Sequence, residues 1–117
     1  IKVHLEESCG ADVIAHAIKV FYKIHLQKTD LRNGVLIYLA VKDKKFAIIA
    51  DEGINNKVPA NFWDDIKEDM QTAFSNGKFL EGLLHGIHQA GDQLKIHFPI
   101  SGGDRNEISD DISYLNE

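Results

Sequence analysis

Acidic and amide side chains, which are the types that bind hard metal ions, bracket the most apolar stretch of this sequence. They lie in the loop before that stretch, in the loop after it and at the start of the next predicted helix: Asp30, Asn33, Asp51, Glu52, Asn55, Asp64 and Asp65. Ca²⁺ takes carboxylate, amide and backbone oxygens from loops, and Gly53 would let backbone carbonyls turn inward. Turn formation or helix capping explains most of these side chains individually, Asp64 above all. Only as a converging set do they indicate a metal ion.

Two apolar runs, residues 35–41 and 46–50, position these side chains. Both sides of each run are apolar, so neither face suits water, and we predict a central sheet with helices on both faces. The short charged turn at residues 42–45 makes the two strands antiparallel neighbours, so that Asp51 returns beside Asn33. We therefore expect a functional site at this polar edge rather than at the turn.

The remaining apolar periodicity predicts an α/β fold with the element order β-α-β-β-α-α. Residues 1–7 alternate as a strand with one covered face, residues 12–26 have helical spacing, and two further helices follow at residues 61–76 and 80–98. The strand-helix-strand unit predicts a right-handed crossover between parallel strands. The apolar arc of the last helix includes Leu80, Leu83, Leu84 and Ala90. Gly82 and Gly86 fall opposite this arc, where only close approach by another element would explain them.

The length of 117 residues suits one domain, which we place at residues 1–99, and the acidic residues 100–117 are predicted to form a flexible tail. The net charge of −5 lies mostly in that tail, and no cluster of Lys and Arg indicates nucleic acid as a partner. No apolar run approaches the ~20 residues of a membrane-spanning helix, so no membrane insertion of this chain is expected. No signal peptide is visible, which makes the cytoplasm the expected location. The sequence starts without Met inside a predicted strand, and we expect a preceding segment.

Isolated Cys and His side chains are weaker candidates for chemistry. Cys9 has no His and Asn at a recognised catalytic spacing, so we expect an unreactive thiol. His85 and His88 are three residues apart on a predicted helix, but no Cys or third His is in register, and we expect solvated histidines rather than a transition-metal site. His25 lies within the apolar arc of the first helix, which predicts a hydrogen-bonded core histidine.

Three segments resemble the TPM domain family, which is named from a thylakoid lumen protein, a photosystem II repair protein and a nematode membrane protein. They read RNGVLIYLAVKDKKFAIIADEGIN, VPANFWDDI and FSNGKFLEGLLHGI, and the similarity extends over residues 6–98. The ending NEISDDISY resembles the tail of the short, soluble bacterial members. The resemblance implies a three-layer α/β/α sandwich with a small mixed sheet, which agrees with the two buried faces of the hairpin.

The resemblance also implies several functions. Members of this family are similar in binding calcium or other divalent cations at acidic loops. Together with the converging acidic set, this predicts a divalent-cation site, with Ca²⁺ as the first choice and Mg²⁺ as the alternative. Other members are assembly or repair factors, which implies a non-enzymatic interaction module as an alternative. This chain lacks the transmembrane tail of many relatives, which weighs against a role in a membrane complex.

A metal-assisted phosphatase is a further alternative, because the plant lumenal member of the family is described as an acid phosphatase. In that hypothesis the cation polarises a phosphoryl oxygen, Arg32 holds the phosphate and a loop carboxylate acts as general base. For Arg32 we favour an ion pair with Asp30 or Asp51. No nucleophile motif and no Gly-rich phosphate loop is present, so the sequence leaves it open whether the protein is an enzyme.

Two aromatic residues begin the helix beside the acidic edge. Phe62 and Trp63 are spaced with Ile66 and Met70 as core residues of one helix face. If Trp63 is exposed in the structure, it would instead indicate a protein-partner or ligand site beside the metal loop.

Overall fold

The computed structural model of the protein describes residues 1–99 and the backbone of residues 112–114. The elements are β1 Lys2–Glu6, α1 Val13–Lys23, β2 Val35–Ala40, β3 Lys45–Ala50, α2 Glu52–Asn55, α3 Phe62–Ser75, α4 Phe79–His97 and β4 Ile112–Tyr114. The sequence predicted neither the one-turn helix α2 nor the short strand β4. The rest of the predicted flexible tail, residues 100–111 and 115–117, lies outside the described residues, and the domain boundary at residue 99 stays a prediction.

The strands form one mixed sheet in the order β3-β2-β1-β4. β1 pairs with β2 in parallel, with Val3 opposite Ile37, and β2 pairs with β3 in antiparallel, with Val35 opposite Ala50. β4 adds a parallel neighbour on the other side of β1. The predicted parallel pair and the predicted hairpin are both confirmed.

All of β2 is buried, and its side chains alternate between two hydrophobic layers. Leu36 and Tyr38 pack with α1, whereas Ile37 and Leu39 pack with α3 and α4. Burying one such aliphatic side chain contributes about 1.5–3 kcal/mol, so β2 needs cover on both faces to be stable. The protein is therefore the predicted three-layer α/β/α sandwich.

The buried face of the last helix is only partly the predicted one, since Leu83 and Ala90 are in the core as predicted. Gly82 and Gly86 are buried, and a Cβ atom on them would lie 2.7 Å from Cε1 of Phe74 and 2.6 Å from Sδ of Met70. The two glycines thus let α4 approach α3 closely. Leu80 and Leu84, predicted to belong to the apolar core face, are exposed. They are exposed because this approach turns the glycine side of α4 toward its neighbour.

The end of α1 also differs from the prediction. Asp12 caps the helix by accepting the N–H groups of Ile14 and Ala15 at 3.0 and 3.1 Å. The helix ends at Lys23, and His25 has a left-handed backbone, with φ of 63°, and is exposed. The predicted core histidine is therefore wrong, because the chain has left the helix before His25.

A polar cluster lies buried between β1 and α1, although the sequence predicted that this side of β1 faces water. Oε1 of the buried Glu6 lies 3.0 Å from Nε2 of His16 and 3.5 Å from Nε2 of the buried His4. The ring of His4 stacks on that of Tyr38 with centroids 5.9 Å apart. Burial lowers the pKa of His4 below its ordinary value, and burial followed by the contact with Glu6 raises the pKa of Tyr38. The prediction failed because α1 covers this side of the sheet through His16, whose ring contacts both Glu6 and Tyr38.

Because His4 is buried, we expect the stability of the folded protein to depend on pH. Its folded-state pKa is lowered from 6.5, mainly by burial and against the attraction of Glu6, with His16 and Lys23 adding smaller repulsions. The unfolded chain therefore binds the proton more readily, and the stabilisation is complete above about pH 6.5 and is lost as the pH falls below it. Chemical denaturation from about pH 7.5 to about pH 5 should show a smaller decrease in His4→Gln than in the wild type. His88→Gln, at an exposed position, should leave the wild-type decrease; equal decreases in all three proteins would contradict the role of His4.

Candidate functional site

The antiparallel return of the hairpin brings the two predicted loops together. The N–H of Asp51 donates to the carbonyl oxygen of Gly34 at 2.9 Å, which continues the β2–β3 ladder by one step. Asp51 therefore lies beside the residue that follows Asn33, as the sequence predicted. The edge is formed by the loop before β2 and by the helix α2 after β3.

An ion pair between Arg32 and Asp51 is the centre of this edge. Nε and Nη2 of Arg32 donate to Oδ2 and Oδ1 of Asp51 at 2.7 and 2.8 Å, in the two-pronged geometry that suits a carboxylate. Nη1 of Arg32 lies 3.3 Å from Oε1 of Glu52. Asp51 is only 7% exposed, and its hydrogen bonds raise the pKa of Arg32. This is one of the two ion pairs that the sequence favoured for Arg32.

Asp51 also begins the helix that the sequence did not predict. Its Oδ1 accepts the N–H of Glu52 at 2.8 Å, so the side chain is the N-cap of α2. We predicted an irregular loop here because Asp and Asn were assigned to turns or to metal binding, and a cap needs the same side-chain oxygen. Both oxygens of the Asp51 carboxylate thus already accept hydrogen bonds.

Gly53 lets the loop before β2 cross α2. A Cβ atom at this position would lie 2.5 Å from the carbonyl oxygen of Arg32 and closer still to that of Leu31. The carbonyl oxygen of Arg32 accepts the N–H of Ile54 at 3.3 Å, and Arg32 itself has a left-handed φ of 51°. The close crossing holds the guanidinium of Arg32 over the start of α2.

The other predicted ligands do not join this ion pair. Asn55 accepts the indole N–H of Trp63 at 3.0 Å, and Asp65 accepts the side-chain amide of Asn61 at 3.2 Å. Asp64 is exposed in the first turn of α3. Among the described residues no contact joins Asp64 or Asp65 to Asp51, since α3 directs its opposite side toward the sheet. Asp30 is exposed, and Asn33 donates its backbone N–H to Oγ1 of Thr29.

Trp63 is half-buried and packs against the cluster that contains Val35 and Ile54. Its role is thus the helix-core packing predicted from the spacing, and its indole N–H is already bonded to Asn55.

The isolated Cys and His candidates have local partners. The thiol of Cys9 is buried, and burial followed by the contact with Asp43 raises its pKa, which agrees with an unreactive side chain. Nε2 of His85 lies 3.0 Å from Oδ2 of Asp69. Within residues 1–99 no group of three or more His, Cys, Asp or Glu side chains is arranged to hold a metal ion.

A cation at the edge would therefore have to compete with Arg32. Asp51 and Glu52 are the two carboxylates within reach of one guanidinium, and the side chain of Arg32 is 41% exposed. Arg32 belongs to none of the hydrophobic clusters of the described residues. The arrangement is a positioned carboxylate pair that is neutralised in part by a partly exposed guanidinium.

The close crossing at Gly53 gives a test of the local structure. Gly53→Ala should decrease the free energy of unfolding by about 1–3 kcal/mol, since the new methyl group meets backbone carbonyls that cannot move separately. Gly91→Ala is the matched control, because its Cβ atom would lie 3.7 Å from the nearest side-chain atom, Cδ1 of Ile1. That change should leave the protein as stable or stabilise it by up to about 1 kcal/mol. Equal effects of the two changes in denaturation experiments would contradict the crossing.

Two of three comparisons relate the chain to known proteins. No curated protein sequence matches it. Its fold is similar to the BA42 protein from the psychrophilic bacterium Bizionia argentinensis, solved by NMR, with a TM-score of 0.86 and 42% identity over 97% of this chain and 79% of that one. No helix in the described residues is both long and apolar enough to cross a membrane. The family model of the TPM domain matches residues 1–93, and the chain therefore belongs to the TPM domain family.

Proposed function

We propose that this TPM domain binds a divalent cation, Ca²⁺ first and Mg²⁺ as the alternative, at Asp51 and Glu52 in competition with Arg32. The observation that carries the proposal is the sharing of one exposed guanidinium by these two neighbouring carboxylates. When Arg32 swings away, the pair presents two negative charges on a rigid sheet edge. Ca²⁺ prefers such oxygen ligands, and neutral oxygens from Asn33 and water can complete its coordination.

Competition with Arg32 implies weak binding. Binding gains the attraction between the cation and two carboxylates. In exchange, the protein loses the two charge-assisted hydrogen bonds between Arg32 and Asp51. Asp64 and Asp65 are left out of the proposed ligand set, because neither contacts Asp51. We therefore expect a dissociation constant on the order of 10⁻³ M, at the weak end of protein calcium sites.

A calcium titration followed by backbone NMR tests the site. Wild-type protein should show shifts at residues 30–33 and 51–56, and Asp51→Asn should lose them. Asn remains a good N-cap, so the variant should keep α2 while losing the charge. Asp12→Asn is the matched control, since it makes the same change at the cap of α1 and should leave calcium binding unchanged. Absence of shifts at the edge at millimolar calcium would refute the proposal.

Arg32→Ala tests the competition directly. Removing the guanidinium takes away the competitor and one positive charge without adding a new oxygen ligand. Calcium should then bind roughly fivefold more tightly, which corresponds to about 1 kcal/mol of attraction. Unchanged or weaker binding in this variant would show that Arg32 does not occupy the cation site.

A metal-assisted phosphatase is the second candidate, and it uses the same competition. The matching family model carries the name TPM_phosphatase. A cation on Asp51 and Glu52 would release Arg32 to bind a phosphate group, while the cation polarises a phosphoryl oxygen. One guanidinium would thus be a counter-ion in the resting protein and a phosphate ligand in the loaded one.

Hydrolysis of p-nitrophenyl phosphate with added Ca²⁺ or Mg²⁺ separates the two candidates. A phosphatase should lose turnover in Arg32→Ala even though that variant binds the cation more tightly. Asp51→Asn should lose both turnover and cation binding. Equal turnover in the wild type and both variants, or none in any of them, would exclude this edge as a phosphatase site while leaving cation binding intact.

A further inference from the structure

A cavity of about 600 Å³ lies at the opposite end of the hairpin, between the sheet and the helical layer of α3 and α4. Leu39, Phe46, Phe74 and Phe79 form apolar walls, and Lys44 and Lys45 from the hairpin turn also line it. Its volume falls within the range of small-molecule sites in proteins. It also lies at the carboxyl end of β2, a strand with a parallel neighbour, and the carboxyl ends of such strands are where α/β sheets bind their ligands.

Three phenylalanine rings make one continuous wall of the cavity. Phe46 meets Phe74 edge to face with centroids 5.1 Å apart, and Phe74 stacks on Phe79 at 5.2 Å and 23°. Phe79 is 43% exposed although it begins a helix that packs on the core. The absence of a Cβ atom at Gly82 leaves room for the ring of Phe74. A flat apolar group bound here would cover aromatic surface that water now contacts.

The charge at the cavity has one sign. Lys44 and Lys45 are exposed, and none of the described residues that line the cavity is acidic. The third lysine of the turn differs, since Nζ of Lys42 lies 3.5 Å from Oε2 of Glu7. Asp43 does not line the cavity and accepts the backbone N–H of Cys9 at 2.9 Å, although Lys45 is close enough to help lower the pKa of Asp43, after its hydrogen bonds from Cys9. Lys44 and Lys45 join no salt bridge among residues 1–99, and they are complementary to an anion.

We propose that this cavity binds a small aromatic carboxylate, with its ring on Phe74 and Phe79 and its carboxylate at Lys44 and Lys45. An aromatic body is favoured because ring-on-ring contacts add to the burial of apolar area. A single carboxylate is favoured over a phosphate, because the cavity offers two lysine point charges and no arginine for two-pronged binding. The site is independent of the proposed cation site, since the strands separate them by roughly 17 Å.

A pair of matched probes tests this ligand class. Backbone NMR of the ¹⁵N-labelled protein is followed during titration with 4-phenylbutyrate and, separately, with the neutral 4-phenylbutan-1-ol. The acid should shift residues 39–46 and 71–79 and leave residues 51–56 unmoved. The alcohol should cause the same pattern with an affinity roughly fivefold lower, since it keeps the ring and loses the charge.

Two variants with neighbouring controls separate the ring contact from the charge. Phe79→Ala should weaken binding of the acid roughly tenfold. Leu80→Ala removes a similar apolar group one residue further on, at a position that does not line the cavity and is 64% exposed, and should not change it. The double change Lys44→Asn with Lys45→Gln should lower the affinity for the acid to that for the alcohol. Asn tolerates the left-handed φ of 55° at position 44, and Lys42→Gln is the matched control.

Three outcomes would overturn the proposal. The first is no shift at residues 39–46 and 71–79 at millimolar acid. The second is equal affinity for the acid and the alcohol, which would leave no role for the two lysines. The third is a Phe79→Ala variant that binds as the wild type does while its spectrum shows an intact fold.

Discussion

The burial of both faces of β2 is the constraint on which the rest of the structure depends. Its six residues are at most 3% exposed, and successive side chains enter different hydrophobic layers. Such a strand has no stable place except at the centre of a sandwich, so it requires α1 on one face and α3 with α4 on the other. Clusters of charged side chains that could bind a ligand are therefore confined to the two ends of the hairpin.

At one end the constraint creates a buried carboxylate that must be paired. Asp51 directly follows β3 and is nearly inaccessible to water, and an unpaired charge there would be strongly destabilising. Arg32 satisfies it with two hydrogen bonds, and the N–H of Glu52 provides a third. This ion pair has a structural role, and any cation that binds Asp51 has to compete with Arg32 for the carboxylate. Structure and candidate function thus depend on one guanidinium.

The hairpin could be predicted because its signal is local. Every position from 35 to 40 is apolar, so two-faced burial follows without knowledge of the neighbours, and a four-residue turn leaves no choice of strand direction. The helix α2 was missed for a chemical reason, since an Asp that caps a helix and an Asp that binds a metal ion are the same side chain in a sequence. The predicted ligand set stays a prediction. Asp64 and Asp65 lie exposed in the first turn of α3, and the direction of that helix was not part of the pattern.

Errors on the other elements arise from contacts between distant parts of the chain. His4 and Glu6 alternate with apolar residues as solvent-facing positions do, but α1 covers them, and β4, about 110 residues further along, makes β1 an inner strand. Gly82 and Gly86 count as neutral on a helical wheel, and only the side chains of Phe74 and Met70 on the neighbouring helix explain them. The type of a residue limits the environments that it tolerates, but the distant residues that pack against it determine whether it is buried or exposed.

The two ends of the hairpin place opposite physical demands on a ligand. At the Asp51 end the charges are already paired, so a ligand must replace an existing ion pair and gains only the difference between two electrostatic interactions. At the turn, Lys44 and Lys45 join no salt bridge within residues 1–99 and Phe79 is 43% exposed, so a ligand replaces mainly water. The sequence favoured the first end because its polar residues are conspicuous. The second end was hidden because its walls come from β2, β3, α3 and α4, and its lysines resemble an ordinary solvated turn.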